Sequence, residues 1–274
     1  MSGPLRRATS LSSWRKLALA NWRDPVDPTV YGLLEVDAGP ALAWVEAARA
    51  RTGVKVTLTH LVGRAVALAI AEQPDVNARI SRRGILLRDT VDLFFQVATE
   101  GGRDLSGAKV DQVESLSAVA VAQRLAARAA AIRSRQDPQF ERTRRLMQAL
   151  PAPLVRVALG LTDLLVNELD LHLPGLGLPR DPFGSAMITN VGSFGLTTAF
   201  APLVPMSRTP IVLALGAVEP RPAVVDGQVV ARPTLVLSAT FDHRLMDGYQ
   251  AGRLAQAVRT YLADPGAFEP PLSG

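Results

Sequence analysis

One segment constrains the fold more than any other. Thr59 to Glu72 reads THLVGRAVALAIAE and is apolar over most of its circumference at helical spacing. A helix with so little solvent face has to be enclosed by other elements, and Thr59 is its expected N-cap. Val91 to Thr99, VDLFFQVAT, carries apolar residues on both faces, as a strand inside a sheet does. A buried helix and an interior strand together call for a layered α+β domain, in which helices cover a mixed or antiparallel sheet. The chain has 274 residues, 48% of them hydrophobic, enough for one substantial core. Aromatic residues make up only 5%, so Ala, Val and Leu must fill that core.

The remaining pattern fits such a domain. Short helices are expected over Ser13 to Trp22 and Pro40 to Ala50, and a long one over Ser115 to Arg135. Strands are expected over Thr29 to Val36, Ile85 to Arg88, Ala186 to Asn190, Ile211 to Val218 and Thr234 to Phe241. Asp226-Gly227 between two short Val runs signals a hairpin. Leu154 to Leu171 reads as a helix with Arg156, Asp163, Asn167 and Asp170 near one face and mostly Leu and Val elsewhere. So wide an apolar face is expected to pack on its own domain. A subunit contact is the second reading, and a membrane surface the last, because the polar face is not basic.

Charge and composition narrow the function classes. The net charge of +5 comes almost wholly from arginine, with Lys16, Lys55 and Lys109 the only lysines. The arginines are scattered and no aromatic ladder accompanies them, so no nucleic-acid partner is expected. A phosphate-bearing small molecule fits the charge equally well. No stretch is long and apolar enough to span a membrane, and no secretory signal is evident. Residues 1–23 lack acids, as transit peptides do, but are expected to be an N-terminal arm and helix of a cytoplasmic protein. The absence of cysteine excludes disulfides, thiolate metal sites and cysteine nucleophiles, and no metal is expected.

Chemistry therefore falls to few residues. Phe241-Asp242-His243-Arg244-Leu245-Met246-Asp247-Gly248 follows the apolar run Pro233 to Phe241 and precedes a helical stretch, Tyr249 to Leu262. With only three histidines in the chain, His243 is the expected general base. His60, at the start of an apolar helix, is expected to be structural, and His172 receives no role. Asp247 has the position of a helix N-cap.

Several segments, in order, resemble the catalytic domain of the dihydrolipoamide acyltransferases (E2) of 2-oxoacid dehydrogenase complexes, a fold shared with chloramphenicol acetyltransferase. They are Ser13-Trp14-Arg15-Lys16-Leu17-Ala18, Tyr31 to Asp37 (YGLLEVD) and Thr57 to Asn77 with its Gln73-Pro74-Asp75-Val76-Asn77 ending. Met187 to Gly195 (MITNVGSFG), Phe200-Ala201-Pro202, Ile211 to Val218 and Asp242 to Gly248 (DHRLMDG) complete the set. The resemblance covers roughly residues 13–135 and 183–265. It implies a two-layer, trimeric chloramphenicol acetyltransferase-like fold, with residues 1–274 as one catalytic domain and 136–182 as an atypical helical insertion.

The resemblance also implies a mechanism. Coenzyme A, as acyl-CoA, is expected as substrate, and the acyl group passes to a dihydrolipoyl thiol with His243 as base and no covalent acyl-enzyme. Thr189 stands where the family usually has a serine that holds the oxyanion. Asp247 is expected to hold the histidine loop, and Asn190 to support the turn after Thr189. In the family the site lies between subunits, with the histidine from one chain and the hydroxyl from its neighbour, so a homotrimer is expected.

Departures from the family bear on partners. No lipoyl or subunit-binding domain is expected in this chain, so a lipoyl-domain protein or other 2-oxoacid dehydrogenase components would act in trans. Pro28-Thr29-Val30 replaces the Pro-His-Phe of many relatives, and Ala267 to Gly274 lacks a Leu-rich plug, so a large cage is not expected. Two other readings stand beside the active transferase: a non-catalytic trimeric E2-like scaffold, and an acetyltransferase that modifies a small molecule.

Overall fold

The computed structural model describes residues 13, 27–99, 104–133, 151–169 and 181–272. The helix expected over Ser13 to Trp22 and the role-free His172 lie outside them, Ser13 apart.

Among these residues one sheet of seven strands forms the frame. In chain order its members are β1 (Thr29–Asp37), β4 (Leu93–Thr99), β5 (Asp104–Val110), β6 (Ala186–Asn190), β7 (Ile211–Leu215), β8 (Glu219–Val225) and β9 (Gln228–Asp242). The spatial order is β1-β9-β7-β6-β4-β5, with β8 paired to β9. The β4–β6 and β6–β7 pairs are parallel and the others antiparallel, so the sheet is mixed. A separate hairpin joins β2 (Ala78–Ser81) to β3 (Gly84–Leu87). The strand expected over Ile85 to Arg88 thus belongs to this hairpin rather than to the main sheet.

Helices α1 (Gly39–Thr52), α2 (Leu58–Ala71), α3 (Ala118–Arg133) and α5 (Gly248–Ala263) accompany the sheet, while α4 (Ala152–Thr162) leads into a turn whose Glu168 bonds the β2–β3 hairpin at Arg82. The core lies between α2, α5 and one sheet face, where Ile188, Leu213, Leu237, Ala239 and Phe241 meet Leu61, Ala65, Val66, Leu254 and Val258. Gly63 allows α2 to approach the sheet, since a β-carbon there would lie 2.6 Å from the Phe95 ring. The Asp226-Gly227 turn has positive φ at both residues, as a tight hairpin requires, and confirms the β8–β9 hairpin read from the sequence.

Two local expectations need correction. The N-cap of α2 is Thr57, not Thr59: the Thr57 N–H donates to His60 Nδ1 at 3.0 Å, so His60 fills the place Glu or Gln takes in a capping box. Thr59 sits inside the first turn, where its hydroxyl accepts from Asn190 Nδ2. Nor is α2 wholly apolar. Buried Arg64 donates to Glu269 Oε1 and to the carbonyls of Val113 and Glu114. Tyr261 and the Ala118 N–H also donate to Glu269, which pins the segment after α5 against α2 and α3.

Candidate active site

β9 ends at Asp242, and the chain turns at once: the Leu245 and Met246 N–H groups both donate to the Asp242 carbonyl. The His243 N–H donates to Pro28 O at 2.8 Å, which ties the turn to the residues entering β1. His243 Nδ1 lies 2.8 Å from the Met246 carbonyl oxygen. A carbonyl can only accept, so Nδ1 carries the proton and Nε2 holds the free lone pair. The ring is exposed and the Met246 side chain buried, which anchors the turn under it.

The flanking acids have distinct tasks. Asp242 accepts from the Arg244 backbone N–H and from its guanidinium, at 2.6 Å for Nη2. Burial pushes the Asp242 carboxyl up, but the Arg244 hydrogen bonds and charge outweigh this and hold it below the ordinary range. Asp247 caps α5: its Oδ1 accepts from Tyr249 N at 2.7 Å, and Gln250 Oε1 accepts from Asp247 N at 3.0 Å. Its hydrogen bonds run to Tyr249 and Gln250 rather than to His243, so it acts through the start of the helix.

Thr189 lies elsewhere on the sheet. Its register partners are Ala214 on β7 and, through it, Ser238 on β9. It therefore faces away from α2 and α5, on the side of Asp242. Ser238 precedes His243 by five residues, which at strand rise is about 17 Å, and two strand spacings add about 10 Å sideways. The backbone positions of Thr189 and His243 in one chain are thus about 20 Å apart. Asn190 braces the turn after β6 with both ends of its amide: Oδ1 accepts from Ser193 N, and Nδ2 donates to Thr59.

A cleft of about 660 Å³ opens beside the histidine loop on the Asp242 side. Asp242, Arg244 and Leu245 line it from the loop, whereas the His243 ring does not. Across from them stand Leu159, Gly160 and Asp163 of the 151–169 segment. There α4 passes into a π-helical turn, Asp163–Glu168. Arg208 fixes that turn, donating to Asp163 Oδ2 at 2.5 Å and to Glu168 Oε1 at 3.1 Å. Asn167 Nδ2 donates to the Met206 carbonyl, and Glu168 Oε2 accepts from Arg82 N. The Arg208 guanidinium lowers the Asp163 carboxyl below its usual range, against the opposite push of burial and with help from Asn167.

The segment is docked differently from the sequence-based expectation. Its polar residues make the anchor, while Leu154, Val157 and Leu161 stay exposed, Val157 by 67%. Glu168 is buried, and a buried carboxylate without a cation costs more than exposed leucines, so its pairing with Arg208 outweighs the apolar stripe. Asp163 stood out in the sequence only as part of a polar helix face, and Arg208 and Glu168 gave no signal. Only the short Pro205-Met206-Ser207-Arg208 stretch marks a turn there.

Known proteins share this architecture. The family described as 2-oxoacid dehydrogenases acyltransferase (catalytic domain) matches residues 10–139 and 183–268. The acetyltransferase component of the acetoin cleaving system of Bacillus subtilis is 29% identical over 81% of this chain and 45% of its own length. The succinyltransferase component of the 2-oxoglutarate dehydrogenase complex of Saccharomyces cerevisiae is 30% identical over 78% of this chain and 37% of its own. The chain thus spans less than half the length of these curated relatives. Among solved structures, a probable dihydrolipoamide acetyltransferase from Listeria monocytogenes superposes with a TM-score of 0.64 at 17% identity, covering 94% of both chains. The cubic core of a pyruvate dehydrogenase multienzyme complex also gives 0.64, at 23% identity, over 88% of this chain and 84% of that one. These structures support the fold, and the family match, over most of the sequence, supports kinship: the chain belongs to the 2-oxoacid dehydrogenase acyltransferase family, as a catalytic domain.

Proposed function

We propose that the protein is a coenzyme A-dependent acyltransferase that moves an acyl group between coenzyme A and a thiol, the thiol being a dihydrolipoyl group supplied in trans. The observation that carries this reading is the His243 Nδ1 bond to the Met246 carbonyl, which leaves Nε2 as a free base on an exposed ring. Nε2 takes the acceptor's thiol proton, and the thiolate sulfur bonds to the thioester carbonyl carbon. The tetrahedral oxyanion is held by the Thr189 hydroxyl. Collapse breaks the carbon–sulfur bond to coenzyme A, and the leaving thiolate recovers the proton from the His243 imidazolium.

A backbone separation of about 20 Å prevents one chain from supplying both groups to one carbonyl. This supports a homotrimer in which His243 works with Thr189 of the partner subunit. Asp247 positions the loop through the helix cap, and Asn190 the turn after Thr189. Residues 136–182 form an insertion in a single catalytic domain. A cytoplasmic setting, with 2-oxoacid dehydrogenase components as partners, belongs to the same reading and suits a chain without cysteine.

The test compares wild type with His243→Ala, using acetyl-CoA and dihydrolipoamide, with mass measured by light scattering. Transfer that disappears in the variant while a trimer persists supports the reading. No transfer above the variant, across several donors and acceptors, leaves the scaffold reading in its place.

A further inference from the structure

The cleft beside the histidine loop has a wall that the family match does not include, because Leu159, Gly160 and Asp163 fall between its two matched blocks. We propose that this cleft binds the apolar chain of a thiol or thioester substrate, and that Gly160 sets how long or bulky a chain it takes. The proposal rests on the acyl-transfer reading, since His243 would act on the reacting end of that chain.

Three observations carry it. The volume, about 660 Å³, lies within the range of small-molecule sites, and Leu159, Leu203, Val204, Pro205 and Met206 give it apolar walls. Its two arginines are already engaged, Arg208 by Asp163 and Glu168 and Arg244 by Asp242, so neither is an open clamp for phosphate. That selects the chain of a substrate over the nucleotide end of coenzyme A. Asp242 and Arg244, the sequence neighbours of His243, line the cleft, so a chain held in it would lie beside the histidine loop.

Gly160 is the adjustable position. Helix interiors disfavour glycine, and a β-carbon at this site would meet no other atom within 4 Å. Close packing therefore does not require it. Gly160 lines the cleft, and the space a larger side chain would enter there is open.

The apolar chain could be the acyl group of the donor or the body of the acceptor, and kinetics with the purified full chain separate the two. One arm compares octanoyl-CoA with acetyl-CoA at fixed dihydrolipoamide; the other compares dihydrolipoamide with 1,2-ethanedithiol at fixed acetyl-CoA. Gly160→Leu is expected to lower the long-to-short ratio of kcat/KM about tenfold or more in one arm, mainly through KM. Gly160→Ala, which suits a helix, is expected to lower it less and keeps the test open if the larger variant does not fold. A drop in the donor arm assigns the acyl chain, and a drop in the acceptor arm the thiol. Unchanged ratios in both arms for variants with undiminished thermal midpoints overturn the pocket and leave acyl transfer standing. If wild type shows no transfer above His243→Ala, the acyl-transfer reading falls instead. Calorimetric titration of the same four compounds then decides the pocket: tighter binding of a longer compound, abolished by Gly160→Leu, supports it, and binding unaffected by that variant overturns it.

Discussion

The 242–248 loop and the 151–169 segment face one another across a single cleft, yet they are held by opposite means. The loop is fixed mostly by bonds spanning two or three residues: Arg244 to Asp242, His243 to Met246, Tyr249 to Asp247. The segment is fixed by partners 39 to 88 positions away, among them Arg208, Met206, Arg82 and Arg79. The conformation of the loop is therefore set within its own short stretch of sequence. The opposite wall depends on residues far along the chain. On the readings proposed above, one side of the cleft serves the reaction and the other shapes what enters.

The largest effect tests whether the loop finds its oxyanion partner in another copy. His243→Ala is expected to cut transfer about 10²–10⁴-fold and Thr189→Ala about 10²–10³-fold. Refolded together in equal amounts, the two inactive variants should recover about one quarter of the wild-type rate, because half the shared sites draw an intact histidine and half of those an intact threonine. A mixture no faster than its parents breaks the split-site reading.

A smaller effect tests the distant anchor. Arg208→Ala should destabilise docking of the 152–168 segment by about 1–3 kcal/mol, leaving Asp163 and Glu168 without their cation. Amide hydrogen exchange should then rise over 152–168 and stay unchanged over α5. Equal changes in both regions would show that the two walls are one cooperative unit.

Smaller still is the local cap. Asp247→Ala should cost about 1 kcal/mol in unfolding free energy, and Asp247→Asn much less, since either Asp or Asn can accept from the helix N–H. An Asn variant as damaged as the Ala one would mean that the charge matters rather than the cap.

The smallest effect concerns the other local cap, at α2. Burial first, and the nearby Arg49 second, lower the His60 pKa from 6.5 to about 4. Between those values the unfolded chain takes up a proton that the folded chain refuses. Stability should therefore fall as pH drops through the window from 6.5 to about 4. The urea midpoint would record this, and His60→Gln should flatten the slope over that window.

The same contrast explains what the sequence made legible. The buried helix, the interior strand, the Asp226-Gly227 hairpin and the histidine loop could all be read, because each depends on spacing within a few residues. β2, Ala-Arg-Ile-Ser, and β5, Asp-Leu-Ser-Gly-Ala-Lys-Val, were missed. Both are short on β-branched residues and become strands through their partners β3 and β4. The family resemblance supplied Thr189 and Asn190, which local pattern alone could not rank above ordinary strand and turn residues. The Arg208 anchor was invisible because its three charged members come together only after folding.

Glu269 has a consequence for the order in which the protein is made. Arg64 finds this carboxylate only 205 positions further along the chain. The first strand of the sheet likewise waits for Gln228–Asp242, the segment that pairs with it. At about 5–20 residues per second, a ribosome needs about 10–40 s between Arg64 and Glu269. During that time a cation destined for the interior has no counter-charge and the sheet has no closing strand. The domain therefore has to complete its fold after nearly all of it has emerged, and a chaperone that holds the early segments would find its task in that interval.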